Sequence, residues 1–183
     1  AFRFAGPPRR QLGVPTAFNL LGPMANPGRI GRQVIGVADP ALAPTMVDAL
    51  ARRGRTHVWV VHGDGLDELT TTTVSSVLEL RDGDVRRFDV DPAALGLAPA
   101  RLAELAGGGP EENADVVRRV LDGHPGAHRD VIVLNAAAAL VVGGIVDDLP
   151  TGLERAVASI DDGAAAAALA ALVEAGALSS PAG

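Results

Sequence analysis

The chain has 183 residues, 48% of them hydrophobic but only 3% aromatic, and carries a formal charge of -6. That length buries a real core, built from Ala, Val, Leu and Ile, and excludes disorder of the whole chain. The acidic balance argues against nucleic acid as the main partner, since phosphate-backbone binding needs clustered positive charge. All 16 basic residues are Arg, so a side-chain contact to a carboxylate or phosphate would use a planar guanidinium. The absence of cysteine removes disulfide and thiol chemistry and fits a cytoplasmic protein. No apolar stretch reaches the roughly 20 residues of a membrane-spanning helix. The chain opens on Ala1 and a short apolar run, Phe2 to Phe4, and reads as a piece of something longer or a processed form.

In chain order, residues 7 to 27 are interrupted by Pro7, Pro8, Pro15, Pro23 and Pro27 and exclude a long regular helix. QVIGVA (Gln33 to Ala38) reads as a strand that ends at the Asp39-Pro40 turn. TMVDALARRG follows a helical period through Met46, Val47 and Leu50, with Arg52 and Arg53 in its last turn and Gly54 as its stop. THVWVVH (Thr56 to His62) is the strongest strand signal, and strand, helix, strand is a parallel unit whose carboxyl-end loops favour ligands. VSSVLEL and VRRFDV flank Asp82-Gly83, a hairpin turn signal. From about Asp91 the sequence reads as helical: PEENADVVRRVLDG stops at Gly123, RDVIVLNAAAALVVGG is apolar all round and hence buried, and LPTGLERAVASIDDG leads into an alanine-rich helix. The fold class expected is α/β, a mostly parallel sheet with an antiparallel hairpin and flanking helices. One domain is expected over residues 1–178, with 179–183 as a frayed tail.

The stretch VVHGDGLDELTTTT carries the chemistry. Gly and Asp are turn formers, so it can be a solvated turn. Alternatively, Asp67 and Glu68, just past a strand end, form half of a metal site, because Mg²⁺ is commonly held by one or two protein carboxylates with phosphates and water completing its shell. The threonines that follow offer hydroxyls to phosphate or simply favour strand geometry. Arg9, in the proline-framed GPPRRQLG, can clamp a small carboxylate or be a surface residue. His62 reads as packed rather than catalytic, and His124 and His128 have no partners at metal-ligand spacing.

In order and spacing, RRQLGVPTAFNLLGPMANP, QVIGVADP, VVHGDGLDELTTTT, EENADVVRRVLDG and VIVLNAAAALVV resemble the carboxyl-terminal two-thirds of anthranilate phosphoribosyltransferases. The resemblance implies a phosphoribosyltransferase of tryptophan biosynthesis that joins anthranilate to phosphoribosyl pyrophosphate and releases pyrophosphate. It implies that Asp67 and Glu68 are the Mg²⁺ pair and that Arg9 contacts the anthranilate carboxylate, with no catalytic side chain assigned. The family's G-T-G-G-D and K-H-G-N-R segments are absent, as is the His-Pro stretch expected between Ala5 and Arg9. The chain alone is therefore expected to be inactive, and the helical region through which the family forms homodimers is not in it. A pyrimidine nucleoside phosphorylase and a non-catalytic relative are the alternatives, the former disfavoured by HGDGLDE and RRQLG.

Overall fold

A computed structural model describes residues 30–179 and, before them, Gln11, Gly22, Met24 and Gly28. Phe2 to Phe4, Arg9 and residues 180–183 lie outside the described residues. The strands are β1 (Arg32–Gly36), β2 (His57–His62), β3 (Ser75–Arg81) and β4 (Asp84–Val90), and the helices are α1 (Ala43–Arg52), α2 (Pro110–Leu121), α3 (Ala127–Gly143), α4 (Leu149–Asp161) and α5 (Ala164–Ser179). They form one mixed sheet in the order β1-β2-β3-β4. β1 and β2 run parallel, joined through α1, while β2-β3 and β3-β4 are antiparallel. The α/β class with its antiparallel hairpin is therefore present, and the parallel part among the described residues is one strand pair.

Local chemistry explains the elements. α1 buries Met46, Val47 and Leu50, the stripe read from the sequence, and ends where Gly54 takes a φ of +73°. Asp82 (φ +51°) and Gly83 (φ +99°) make the two-residue turn between β3 and β4, with both residues at the positive φ such a hairpin needs. α4 starts at Asp148, whose side chain accepts from the Thr151 N–H at 2.9 Å. Arg32 donates to the Gly143 carbonyl at 2.6 Å, placing a cation at the carboxyl end of α3.

β2 is central and covered on both faces. On one side Val58 and Val60, with Ile35 and Leu80, pack against α1. On the other, Trp59, Val61, Leu69 and Val77 pack against Leu134, Ala138 and Val141 of α3 and Leu153 and Ile160 of α4. Gly152 lets α4 close on α3, since a Cβ there would lie 3.0 Å from the Ala137 backbone. No single described helix is long and apolar enough to cross a membrane.

Two expectations need correction. Residues 91–109 are not a helix but irregular chain with short 3-10 turns at Ala93–Leu95 and Leu102–Glu104. Pro92, Gly96, Pro99 and the run Gly107 to Gly109 break the hydrogen-bond ladder, and the α-helix begins only at Pro110. α3 is a helix as expected but is not buried all round: Ile132 is 41% exposed. With Ala136, Ala139, Ile160 and Ala165 it lines an open apolar cavity of about 540 Å³. The sheet and α4 cover most of α3's circumference and leave this side open among the described residues.

One buried charge shapes the sheet. Glu79 is 1% exposed, yet its Oε1 accepts from the Trp59 indole N–H at 2.8 Å and lies 2.9 Å from His57 Nε2, while Oε2 pairs with Arg86. Burial pushes its carboxyl up, but the hydrogen bonds from Arg86, Trp59 and His57, with the Arg86 charge, outweigh burial and hold it below the ordinary range. A depressed carboxylate gives stability that is present above its unfolded pKa and is lost as pH falls through the folded one. Urea midpoints measured from about pH 5 to about pH 3 should therefore fall less steeply for Glu79→Gln than for the wild type. Parallel acid limbs would show that Glu79 is not the linked group.

Candidate functional site

The acidic stretch leaves the sheet at the carboxyl end of β2. Gly63 and Leu66 form a closed bridge, with Leu66 N–H to Gly63 O at 2.8 Å and Gly63 N–H to Leu66 O at 3.2 Å. Between them Asp64 and Gly65 take φ values of +53° and +77°, the same Asp-Gly turn chemistry as at Asp82-Gly83. The turn reading thus holds for Asp64-Gly65. The next two residues, Asp67 and Glu68, stand clear of it with exposed side chains.

Their backbone is tightly seated. A Cβ built on Gly36, the last residue of β1, would fall 1.4 Å from the Asp67 carbonyl oxygen and 2.2 Å from its carbon. Only glycine at 36 lets the loop lie across the end of β1. Beyond the pair, Leu69 is fully buried in the core beside α3, and its backbone is gripped by one side chain. The Leu69 N–H donates to Asn135 Oδ1 at 3.0 Å, and Asn135 Nδ2 donates back to the Leu69 carbonyl at 2.7 Å. His62, at the end of β2, has Nδ1 2.9 Å from the Val37 carbonyl, so it ties the ends of β1 and β2 together as a packed residue.

The threonine run is neither a strand nor an open row of hydroxyls. The Thr70 N–H donates to Ser75 Oγ at 3.0 Å, and Thr70 Oγ1 accepts from the Thr72 N–H at 3.1 Å. Thr72 Oγ1 donates to Asp64 Oδ2 at 2.8 Å, folding the run back on the acidic turn. Gly63 makes room for this, because a Cβ there would meet Ser75 Oγ and Thr70 Cγ2 at 2.6 Å each. The side-chain oxygen of Asp64 is thereby engaged, while Asp67 and Glu68 are left pointing outward.

The electrostatics of the pair favour a cation. Partial burial pushes the Glu68 carboxyl up, and the neighbouring Asp67 charge pushes it the same way. Two hard oxygen donors that repel each other on adjacent residues suit a divalent ion whose remaining shell comes from phosphates and water. Among the described residues no group of three or more His, Asp or Glu side chains could enclose a metal by itself. The donor set therefore fits a cation shared with a ligand, not a permanent cage. The His124 ring has Nδ1 3.1 Å from the Arg119 carbonyl.

The Asp64-Gly65 turn was legible in the sequence, whereas Gly36, Ser75 and Asn135, which seat the loop carrying Asp67 and Glu68, were not read from it. Gly36 had a readable signal, a glycine set among the β-branched residues Val34, Ile35 and Val37, which marks close backbone approach. Asn135 had a weaker one: it is the one amide-bearing residue in an aliphatic helix segment, VIVLNAAAALVV.

Comparison with known proteins shows the family. Residues 1–166 match the profile of the glycosyl transferase family, a/b domain. Anthranilate phosphoribosyltransferase of Nocardioides sp. is 53% identical over 175 residues, covering 92% of this chain and 51% of that protein. The crystal structure of the Thermus thermophilus anthranilate phosphoribosyltransferase superposes with a TM-score of 0.80 at 39% identity, over 88% of this chain and 48% of that one. The Saccharomyces cerevisiae enzyme in complex with PRPP and Mg superposes with a TM-score of 0.75 at 29% identity, over 85% of this chain and 45% of that one. The chain spans about half the length of the curated relatives it matches.

Proposed function

We propose, from the premise that this chain belongs to the glycosyl transferase family, a/b domain, that it supplies the metal-binding side of an anthranilate phosphoribosyltransferase site. The observation that carries this reading is the Asp67-Glu68 pair, presented outward at the carboxyl end of β2 on a loop seated against Gly36 and Asn135. Loops at that end of a parallel unit are where α/β proteins place ligands.

In this reading the amine of anthranilate attacks the anomeric carbon of phosphoribosyl pyrophosphate, the carbon–oxygen bond to pyrophosphate breaks, and the amine's proton passes to solvent. Asp67 and Glu68 would hold Mg²⁺ through their carboxylate oxygens. Bound there, Mg²⁺ supplies charge neutralisation for the departing pyrophosphate. Arg9 would orient the anthranilate carboxylate through its planar guanidinium. The chain contributes positioning and electrostatics, and no side chain need move a proton in the bond-breaking step.

The sequence holds neither the G-T-G-G-D nor the K-H-G-N-R segment that the resemblance implies for phosphate binding. The 183-residue chain alone should therefore give no turnover with anthranilate, phosphoribosyl pyrophosphate and Mg²⁺, followed by loss of anthranilate fluorescence. A chimaera that joins the amino-terminal half of the Nocardioides relative to this chain should turn over. A folded chimaera without activity, or a chain active by itself at an ordinary enzyme's rate, would sink the proposal.

A further inference from the structure

The two carboxylates sit between two fixed points, and one of these is a side chain that no reading of the reaction has used. Leu69 follows Glu68 directly, and both of its backbone hydrogen-bonding groups are taken by the carboxamide of Asn135, 66 residues further along the chain. The pairing copies what a neighbouring strand would offer: one donor and one acceptor presented to a single residue. Asn135 is itself held in place, since Nδ2 also donates to the Val131 carbonyl one helical turn earlier at 3.0 Å. Its rotamer is thus held by α3 as well as by the loop. α3 in turn is fixed to the sheet through Leu134 and Ala138, both fully buried.

The other end of the pair is fixed by different means. The Gly63–Leu66 bridge closes the Asp64-Gly65 turn, and the Asp67 carbonyl lies against Gly36. Among the described residues the Asp67 and Glu68 side chains have no such anchor, unlike Asp64, which accepts from Thr72 Oγ1. Asp67 and Glu68 face outward and repel each other, so the backbone on either side determines where their oxygens point. An ion shared between protein and ligand needs those oxygens placed to within a fraction of an ångström, and such placement falls to the groups behind the ligating residues.

We infer that Asn135 is a positioning residue for the Asp67-Glu68 pair: its carboxamide sets the Leu69 backbone and so aims the two carboxylates at a shared divalent cation. This rests on the proposed reading of the pair as metal-binding. Its chemistry requires both halves of the amide. Aspartate keeps the acceptor but loses the donors to the Leu69 and Val131 carbonyls. Leucine keeps the approximate shape and loses both.

The test uses the full 183-residue chain, with Mn²⁺ as a paramagnetic stand-in for Mg²⁺ and amide resonances as the readout. In the wild type, Mn²⁺ should broaden the amides of residues 66–69 before those elsewhere. Asn135→Leu should speed amide exchange at Leu69 by tenfold or more, and should raise the Mn²⁺ concentration for half-broadening at least fivefold (about 1 kcal/mol or more by the affinity relation). Asn135→Asp should show the same direction. Val133→Ala is the control: it is buried in the same helix but lies two residues from Asn135, about 200° round the helix axis, beside the cavity of Ile132 and Ala136, and it should lower the melting temperature without moving the Mn²⁺ midpoint. Unchanged Leu69 exchange in Asn135→Leu, or faster exchange with an unmoved midpoint, would overturn the inference, the second outcome leaving Asn135 merely structural. Equal shifts in Val133→Ala and Asn135→Leu would overturn it too. An inactive chimaera beside a shifted midpoint would count against the proposed reaction while leaving the role of Asn135 intact.

Discussion

Replacing Gly36 by alanine should cost about 3 kcal/mol or more of stability and displace the acidic loop. The added methyl would stand 1.4 Å from the Asp67 carbonyl oxygen, against a backbone atom that has no rotamer to swing away. To regain ordinary van der Waals separation the loop must withdraw by about 2 Å. That withdrawal pulls on Leu69, whose N–H and carbonyl are buried against Asn135 and would lose their partners. Each buried polar group left unsatisfied costs on the order of 1–3 kcal/mol. For a chain of this size the sum lowers the melting temperature by roughly 6–12 °C. Circular dichroism melting, with the amide shifts of residues 66–69 as a local report, checks it. An alanine variant that melts within about 2 °C of wild type with unmoved loop resonances would mean that β1 and the loop do not meet as described.

Neutralising the acidic pair should have the opposite profile, with little change in stability and a large loss of function. Asp67→Asn with Glu68→Gln removes two exposed charges that repel each other, and Glu68 already has its ionised form disfavoured first by burial and then by Asp67. Stability should therefore stay level or rise slightly. In the active chimaera the same double variant should lose about 100-fold or more in turnover, since stabilising a pyrophosphate leaving group through a metal contributes several kcal/mol. Saturating Mg²⁺ should recover part of the single Asp67→Asn loss and little of the double. A double variant with wild-type turnover at low Mg²⁺ would remove these residues from the reaction. The contrast with Gly36→Ala separates residues that build the loop from residues that use it.

Much of this protein was legible along the chain because the governing interactions are local. The period of Met46, Val47 and Leu50 made α1, Asp82-Gly83 made the hairpin, and the apolar run Val58 to Val61 made a central strand whose end carries Asp67 and Glu68. Turn chemistry and periodicity act within a few residues, so they survive without knowledge of the fold. The misreadings had local causes as well. The all-round apolar pattern of α3 implied full burial, whereas burial depends on how many neighbours arrive, and one side of α3 opens onto a cavity.

What only the tertiary structure decided lies at long sequence separation. Asn135 reaches Leu69 across 66 residues, and Glu79 on β3 collects Trp59 and His57 from β2 and Arg86 from β4. The approach of Asp67 to Gly36 joins the ends of two parallel strands. No propensity or spacing encodes these pairings, because each exists only once the sheet register and the seat of α3 are established. The sequence by itself therefore determined that this protein presents two adjacent carboxylates beyond a buried strand. The fold determined that they stand on a fixed loop, because a backbone can be held rigid only by partners that folding brings to it.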